Sequence, residues 1–170
     1  MFNKTLEKYF KPARLKKEDT FIWKQAMATK DLLKSLSLNY PPLDREHLNF
    51  FETIQGAKNS AENKNIPGIT DAFEACYNYA RVHFVHEERI MDKIHFPDKE
   101  AHFKSHATFI KNVSEMREKF EYAPSLEEKV QIGQNLASFL EVWFLGHVMS
   151  RDRILKPYLV RIRALIPEES

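Results

Sequence analysis

The sequence predicts an all-α fold, an up-down-up-down four-helix bundle with an extra N-terminal helix. Three observations carry that prediction. Apolar residues recur at steps of three and four along four long stretches, the period of one helix face. Proline and turn-forming residues gather in short clusters between them, at Asn39–Pro42, Asn63–Gly68, Phe96–Pro97 and Pro124. The 170 residues also include four glycines and 29% charged side chains, which suits helices better than a turn-rich β protein.

Residues 1–18 carry Lys4, Lys8, Lys11, Arg14, Lys16 and Lys17 against Glu7 and Glu18, a local excess of four positive charges that reads as a solvated face. From Asp19 to Leu38 an amphipathic helix follows, capped by Asp19 or Thr20, with Ile22, Ala26, Thr29, Leu33 and Leu36 as its stripe. Residues 1–40 are thus read as a basic extension, and residues 41–157 as the bundle.

Pro41 and Pro42 interrupt one helix and suit the first turn of the next. The first bundle helix is expected from Leu43 to about Ala61, with His47, Phe50 or Phe51, Ile54 and Ala57 inward. The second should start near Thr70–Asp71, with Phe73, Cys76, Ala80, His83, Glu87 and Ile90 or Met91 inside. The third runs from about Asp98 to Phe120 and places His102, His106, Phe109, Val113, Met116 and Phe120 on one face. The fourth, from about Ser125, aligns Ile132, Leu136, Leu140, Trp143 and His147. Pro157 is expected to end it, leaving residues 158–170 as a tail.

Composition narrows the function. A net charge of +2 is too small to imply nucleic acid. The single cysteine, Cys76, allows no internal disulfide, which suits a reducing cytoplasm. The first residues lack an apolar run of signal-peptide length, and no stretch approaches the ~18 apolar residues of a membrane span. The expectation is a cytoplasmic protein.

The chemistry lies in the stripes. His83 and Glu87 are four residues apart, as are His102 and His106, so each pair projects from one helix face. A lone histidine on an apolar face is usually a hydrogen-bonded core residue. Here five histidines and Glu87 occupy apolar stripes on four helices. Each polar group buried without a partner costs on the order of 1–3 kcal/mol, against a fold stable by only ~5–15 kcal/mol. A metal resolves this, because coordination satisfies the ring nitrogens and neutralises the carboxylate. Imidazole and carboxylate suit iron, zinc or manganese. At ~1.5 Å rise per residue, the distances of His47, His83, His102 and His147 from their helix ends agree to about one turn, which puts them in one layer. Asp152 is different. Five residues after His147, it lies ~140° round an ideal helix and reaches the layer only by a long reach or a local loosening of that helix. Spacing alone does not choose it over Asp92 or Glu88. His86 fits either the surface or a place behind the metal ligands, and His95 falls near a helix end, where a cation suits the dipole. Trp23 and Cys76 read as core residues.

Several pieces together resemble the hemerythrin family, and its bacterial members in particular. They are Leu43-Asp44-Arg45-Glu46-His47, His83-Phe84-Val85-His86-Glu87-Glu88-Arg89-Ile90-Met91, Phe96-Pro97 followed by His102 and His106, and Trp143-Phe144-Leu145-Gly146-His147-Val148-Met149-Ser150-Arg151-Asp152. The resemblance implies a non-haem di-iron centre. One iron would take His102, His106 and His147, and the other His47 and His83. Glu87 and Asp152 would bridge them beside an oxo or hydroxo group, leaving the second iron one open position for O2. Phe50, Phe51, Trp143 and Val148 are candidates for an apolar lining of that position, or for core alone.

The implied function is reversible O2 binding by a carrier, storage or delivery protein rather than an enzyme. Two alternatives use the same site. One is an O2 or redox sensor that signals to a partner through residues 1–40, a segment that could also mediate self-association. The other is a di-iron enzyme acting on peroxide or nitric oxide.

Overall fold

A computed structural model describes Asp31, Leu32 and residues 34–165, with side chains as far as Arg161. Most of the helix expected over residues 19–38, and Trp23 with it, lies outside these residues; Lys34–Leu36 are helical.

From Leu36 onward the described chain is a helical bundle. Helix α1 spans Pro41–Glu62, with its two prolines in the first turn, where a missing N–H breaks no intrahelical bond. The second rod is composite: α2 (Ile66–Tyr79), a π turn over Ala80–Phe84, and α3 (Val85–Lys93). It begins earlier than Thr70 because Asn65 caps it, its side chain accepting from the Gly68 N–H, and because Pro67 fits the first turn; a stretch that reads as loop is therefore half helix. Helix α4 covers Lys99–Tyr122. The last rod runs through α5 (Leu126–His147), a second π turn over Val148–Asp152, and α6 (Arg153–Leu165). Ser125 caps α5 by accepting from the Glu128 N–H.

Pro157 does not end this rod but lies inside α6. Its position explains the tolerance. Pro157 is exposed, so the carbonyl its ring leaves without a partner can face water, while Leu155 and Leu159 on either side are fully buried and hold the helix to the core. The tail expected from residue 158 is helical to Leu165.

The rods pack in a ring, α1 against α2 and α5, and α4 against α5 and the second rod. Two apolar layers enclose the middle of the bundle. One gathers Leu38, Leu43, Ile90, Met91, Phe96, Leu155 and Leu159. The other is aromatic: Phe50, Tyr79, Phe84, Phe109 and Phe144, all buried. Cys76, also fully buried, belongs to the core, and burial pushes its thiol up to about 12.

Gly133 lets α5 approach α2 closely, since a Cβ there would lie 2.6 Å from the Ile69 Cδ1 and 3.0 Å from its Cγ1. Gly133→Ala is expected to destabilise the bundle by about 1–3 kcal/mol, the usual cost of overpacking. Chemical denaturation of the two proteins measures it; a raised midpoint, the helix-propensity gain of alanine over glycine, would show that Ile69 moves aside freely.

Candidate metal centre

Six buried polar side chains from the first three rods and the fourth converge with Asp152 between the two apolar layers: His47, His83, Glu87, His102, His106 and His147. Each of the seven is at most 4% exposed. Their ligand atoms fall into two groups, Glu87 with His102, His106 and His147, and His47 with His83 and Asp152.

In the first group the Nε2 atom of His147 lies 3.1 Å from that of His102 and 3.2 Å from that of His106. The Glu87 Oε2 is 3.2 Å from His102 and 3.4 Å from His106. In the second, the Nε2 atoms of His47 and His83 are 3.2 Å apart. Asp152 straddles both, with Oδ1 2.9 Å from His147 and 3.2 Å from His102, and Oδ2 3.3 Å from His47. Glu87 reaches toward the second group too, 3.8 Å from His83.

Three of the outer ring nitrogens are committed elsewhere, while the Nδ1 of His47 is buried without a partner. The Nδ1 of His83 meets Glu46 at 2.9 Å, that of His106 meets Glu88 at 2.9 Å, and that of His147 meets the Ser105 hydroxyl at 3.0 Å. A carboxylate at Nδ1 draws the ring proton there and leaves a lone pair on Nε2. The Nε2 lone pairs of His83 and His106 therefore point into the cluster. Neither oxygen of Glu87 or Asp152 has an aligned hydrogen-bond donor, despite the short distances to ring nitrogens. Two buried carboxylates without aligned donors, set among imidazole nitrogens, fit one or more cations.

Electrostatics describe the same tension. Burial opposes a charge on His102, but Asp152 and Glu87 outweigh it and raise its pKa to about 9. Burial and the neighbouring Asp152 work against ionised Glu87, yet His102, His106 and His83 draw it down to about 2. Asp152 is likewise held well below the usual carboxylate range, against its burial, by His147, His102 and His47. Burial keeps His83 and His147 below the ordinary histidine value.

The placement of Asp152 depends on the second π turn. An α-helix would carry it well round from His147, whereas the i→i+5 repeat of Val148–Asp152 returns it to the same face. The other π turn, Ala80–Phe84, contains His83 and turns both His83 and Phe84 inward. Both loosened turns lie at the cluster, the helix distortion often seen at functional sites.

Aromatic rings back four of the imidazoles. Phe84 stacks on His106 at 3.8 Å, Trp143 on His147 at 4.4 Å and Tyr79 on His83 at 4.5 Å, while Phe144 meets His47 edge-on at 5.7 Å. Of the residues considered as lining, Phe50 and Val148 are buried, Trp143 covers His147, and Phe51 is half-buried on the flank of α1. Tyr79, Phe84 and Phe144 were not singled out by periodicity, because the π turns shift the inward face beside them. Glu46 and Glu88 each neighbour a cluster residue in sequence but serve a histidine on another rod, a pairing that spacing does not reveal. His86 stands behind the cluster, its Nδ1 2.9 Å from Glu46 with the side chain 34% exposed. His95 is exposed in the turn after α3 with a φ of 51°.

Among the described residues no helix is long and apolar enough to cross a membrane. The chain is 27% identical over 110 residues to a bacteriohemerythrin of Pseudomonas aeruginosa, covering 65% of this chain and 68% of that protein. It is 23% identical over 116 residues to the bacteriohemerythrin of Methylococcus capsulatus, covering 68% and 85%. A solved structure of a hemerythrin leucine-to-tyrosine mutant shares the fold with a TM-score of 0.62 at 23% identity, over 71% of this chain and 88% of that one. Residues 39–159 match the family model of the hemerythrin HHE cation binding domain. With that match spanning both histidine–carboxylate groups, the chain belongs to the hemerythrin family and carries that family's kind of non-haem metal site.

Proposed function

We propose that this protein binds O2 reversibly at a di-iron centre, as a carrier, store or delivery protein. In this reading His102, His106 and His147 would hold one iron and His47 and His83 the other, with Glu87 and Asp152 shared between the two and an oxo or hydroxo group completing the centre. The relatives named bacteriohemerythrin support it, as does the donor set of imidazole and carboxylate, which suits iron.

The observation that carries the reading is the asymmetry of the site. Three histidines converge on one side of the carboxylates and two on the other. Two ions placed there would be unequally supplied, and the His47–His83 side would keep room for a small ligand. Iron would supply the electrons for O2 uptake. The chain's own residues do the rest. Glu46 and Glu88 fix the tautomers of His83 and His106, Ser105 anchors the ring of His147, the aromatic rings hold the imidazole planes, and the two apolar layers exclude water.

The test is a visible spectrum of protein loaded anaerobically with ferrous iron, recorded before and after O2 is admitted and then withdrawn. An absorption that appears with O2 and disappears on its removal is the expected result. Immediate conversion to an oxidised form that no longer responds to O2 would replace the carrier with a redox sensor. Steady consumption of added peroxide would replace it with an enzyme.

A further inference from the structure

Resting on the di-iron reading, we infer that the Tyr79 hydroxyl is a hydrogen-bond donor for the small ligand taken up on the His47–His83–Asp152 side, and so a residue that sets how long that ligand stays.

Register places Tyr79 next to that side. In antiparallel rods, a residue three after a histidine on one rod lies level with residues three or four before a histidine on the next. Phe50 follows His47 by three, Tyr79 precedes His83 by four, and Phe144 precedes His147 by three. These three form one layer, on the face of the imidazoles opposite to Glu87 and Asp152, which follow their histidines by four and five. The ring contacts agree with the register. Tyr79 lies parallel to Phe50 at 3.8 Å and to His83 at 4.5 Å, and Phe50 meets Phe144 at 5.7 Å. Packed between Phe50 and His83, with Phe84 edge-on at 5.2 Å, the phenol ring has one available plane.

The hydroxyl is buried and has no hydrogen-bond partner. Of the rings around it, Phe50, Phe84 and Phe109 offer no acceptor, and His83, stacked on its face, does not accept from it. A phenylalanine would make the same stacking contacts without desolvating an O–H. A phenol is protonated at neutral pH and has an O–H to donate. A cleft of about 120 Å³ lined by Glu46, Asn49, Phe50, Tyr79, Val82 and His83 brings solvent-accessible space to the edge of this layer. An acceptor arriving beside His47 and His83 is the partner the hydroxyl lacks.

The test compares the full-length chain with Tyr79→Phe, using azide as the probe. Metal-free thermal midpoints and iron per chain are measured first; the variant is expected to melt no lower than the parent and to take up as much iron. Azide is then bound to the oxidised, iron-loaded proteins. Its dissociation is expected to be about tenfold faster from Tyr79→Phe, the loss of one hydrogen bond to a charged ligand. The azide–iron vibration should shift in D2O for the parent and not for the variant. Equal dissociation rates with no isotope shift in either protein, at equal iron content, would overturn the inference and leave the di-iron reading standing. A metal-free variant that melts lower would overturn it as well, by showing that the hydroxyl serves the fold. A parent chain that takes up no iron would instead overturn the centre, and this inference with it.

Discussion

Loading the metal-free protein with ferrous iron is expected to raise its thermal midpoint by on the order of 10–15 °C, the equivalent of metal at about a thousand times its dissociation constant. The increment is expected to be larger at high pH than at low. In the metal-free protein His102 has its pKa raised from 6.5 to about 9, so its stabilising contribution is whole below 6.5 and is lost as pH rises through 9. That contribution is on the order of 3 kcal/mol. His47 is shifted the same way, by Asp152 against its burial. Glu87 has its pKa lowered from 4.5 to about 2, so its contribution is present above 4.5 and is lost as pH falls through 2. His83 and His147, with lowered values, are already neutral above 6.5 and add no slope there. The metal-free protein therefore weakens between 6.5 and 9. Over the same range the proton that competes with metal for His102 leaves, and uptake tightens. Anaerobic melts with and without iron at the two ends of this range measure both effects. An increment that shrinks toward high pH would contradict the assignment of His102 as a ligand.

Asp152→Ala is expected to hold at most one iron per chain, and to hold it more weakly by over the 10–100-fold that loss of an outer-shell partner costs. The reason is geometric. Asp152 is the side chain whose two oxygens divide between the groups, one beside His147 and His102 and the other beside His47. Asp92→Ala is the matched control, because Asp92 is exposed and bonded to Lys99 rather than to the cluster. It should leave both irons in place. Iron per chain after gel filtration separates the two variants, and a two-iron Asp152→Ala protein would remove Asp152 from the ligand set.

The steps of three and four were enough to place four inward stripes, and with them five histidines and Glu87. A stripe is a local property of one helix, and burial of that face follows wherever the helix packs. Helix ends were less legible. The start of α2 moved to Ile66 because one asparagine side chain caps it, and Pro157 was absorbed because burial of Leu155 and Leu159 outweighs one lost hydrogen bond.

The amino-acid sequence alone determined that this chain makes a helical bundle with imidazoles and acids where apolar residues belong, because periodicity is written residue by residue. Only the tertiary structure decided how that layer is assembled: which acid spans it, through a five-residue π turn that brings Asp152 back beside His147, which carboxylates stand behind the imidazoles from other rods, and which ring, Tyr79, lies between Phe50 and His83. Those are contacts between helices and local changes of helical pitch. Both arise when the rods pack against each other, and neither leaves a period in the sequence.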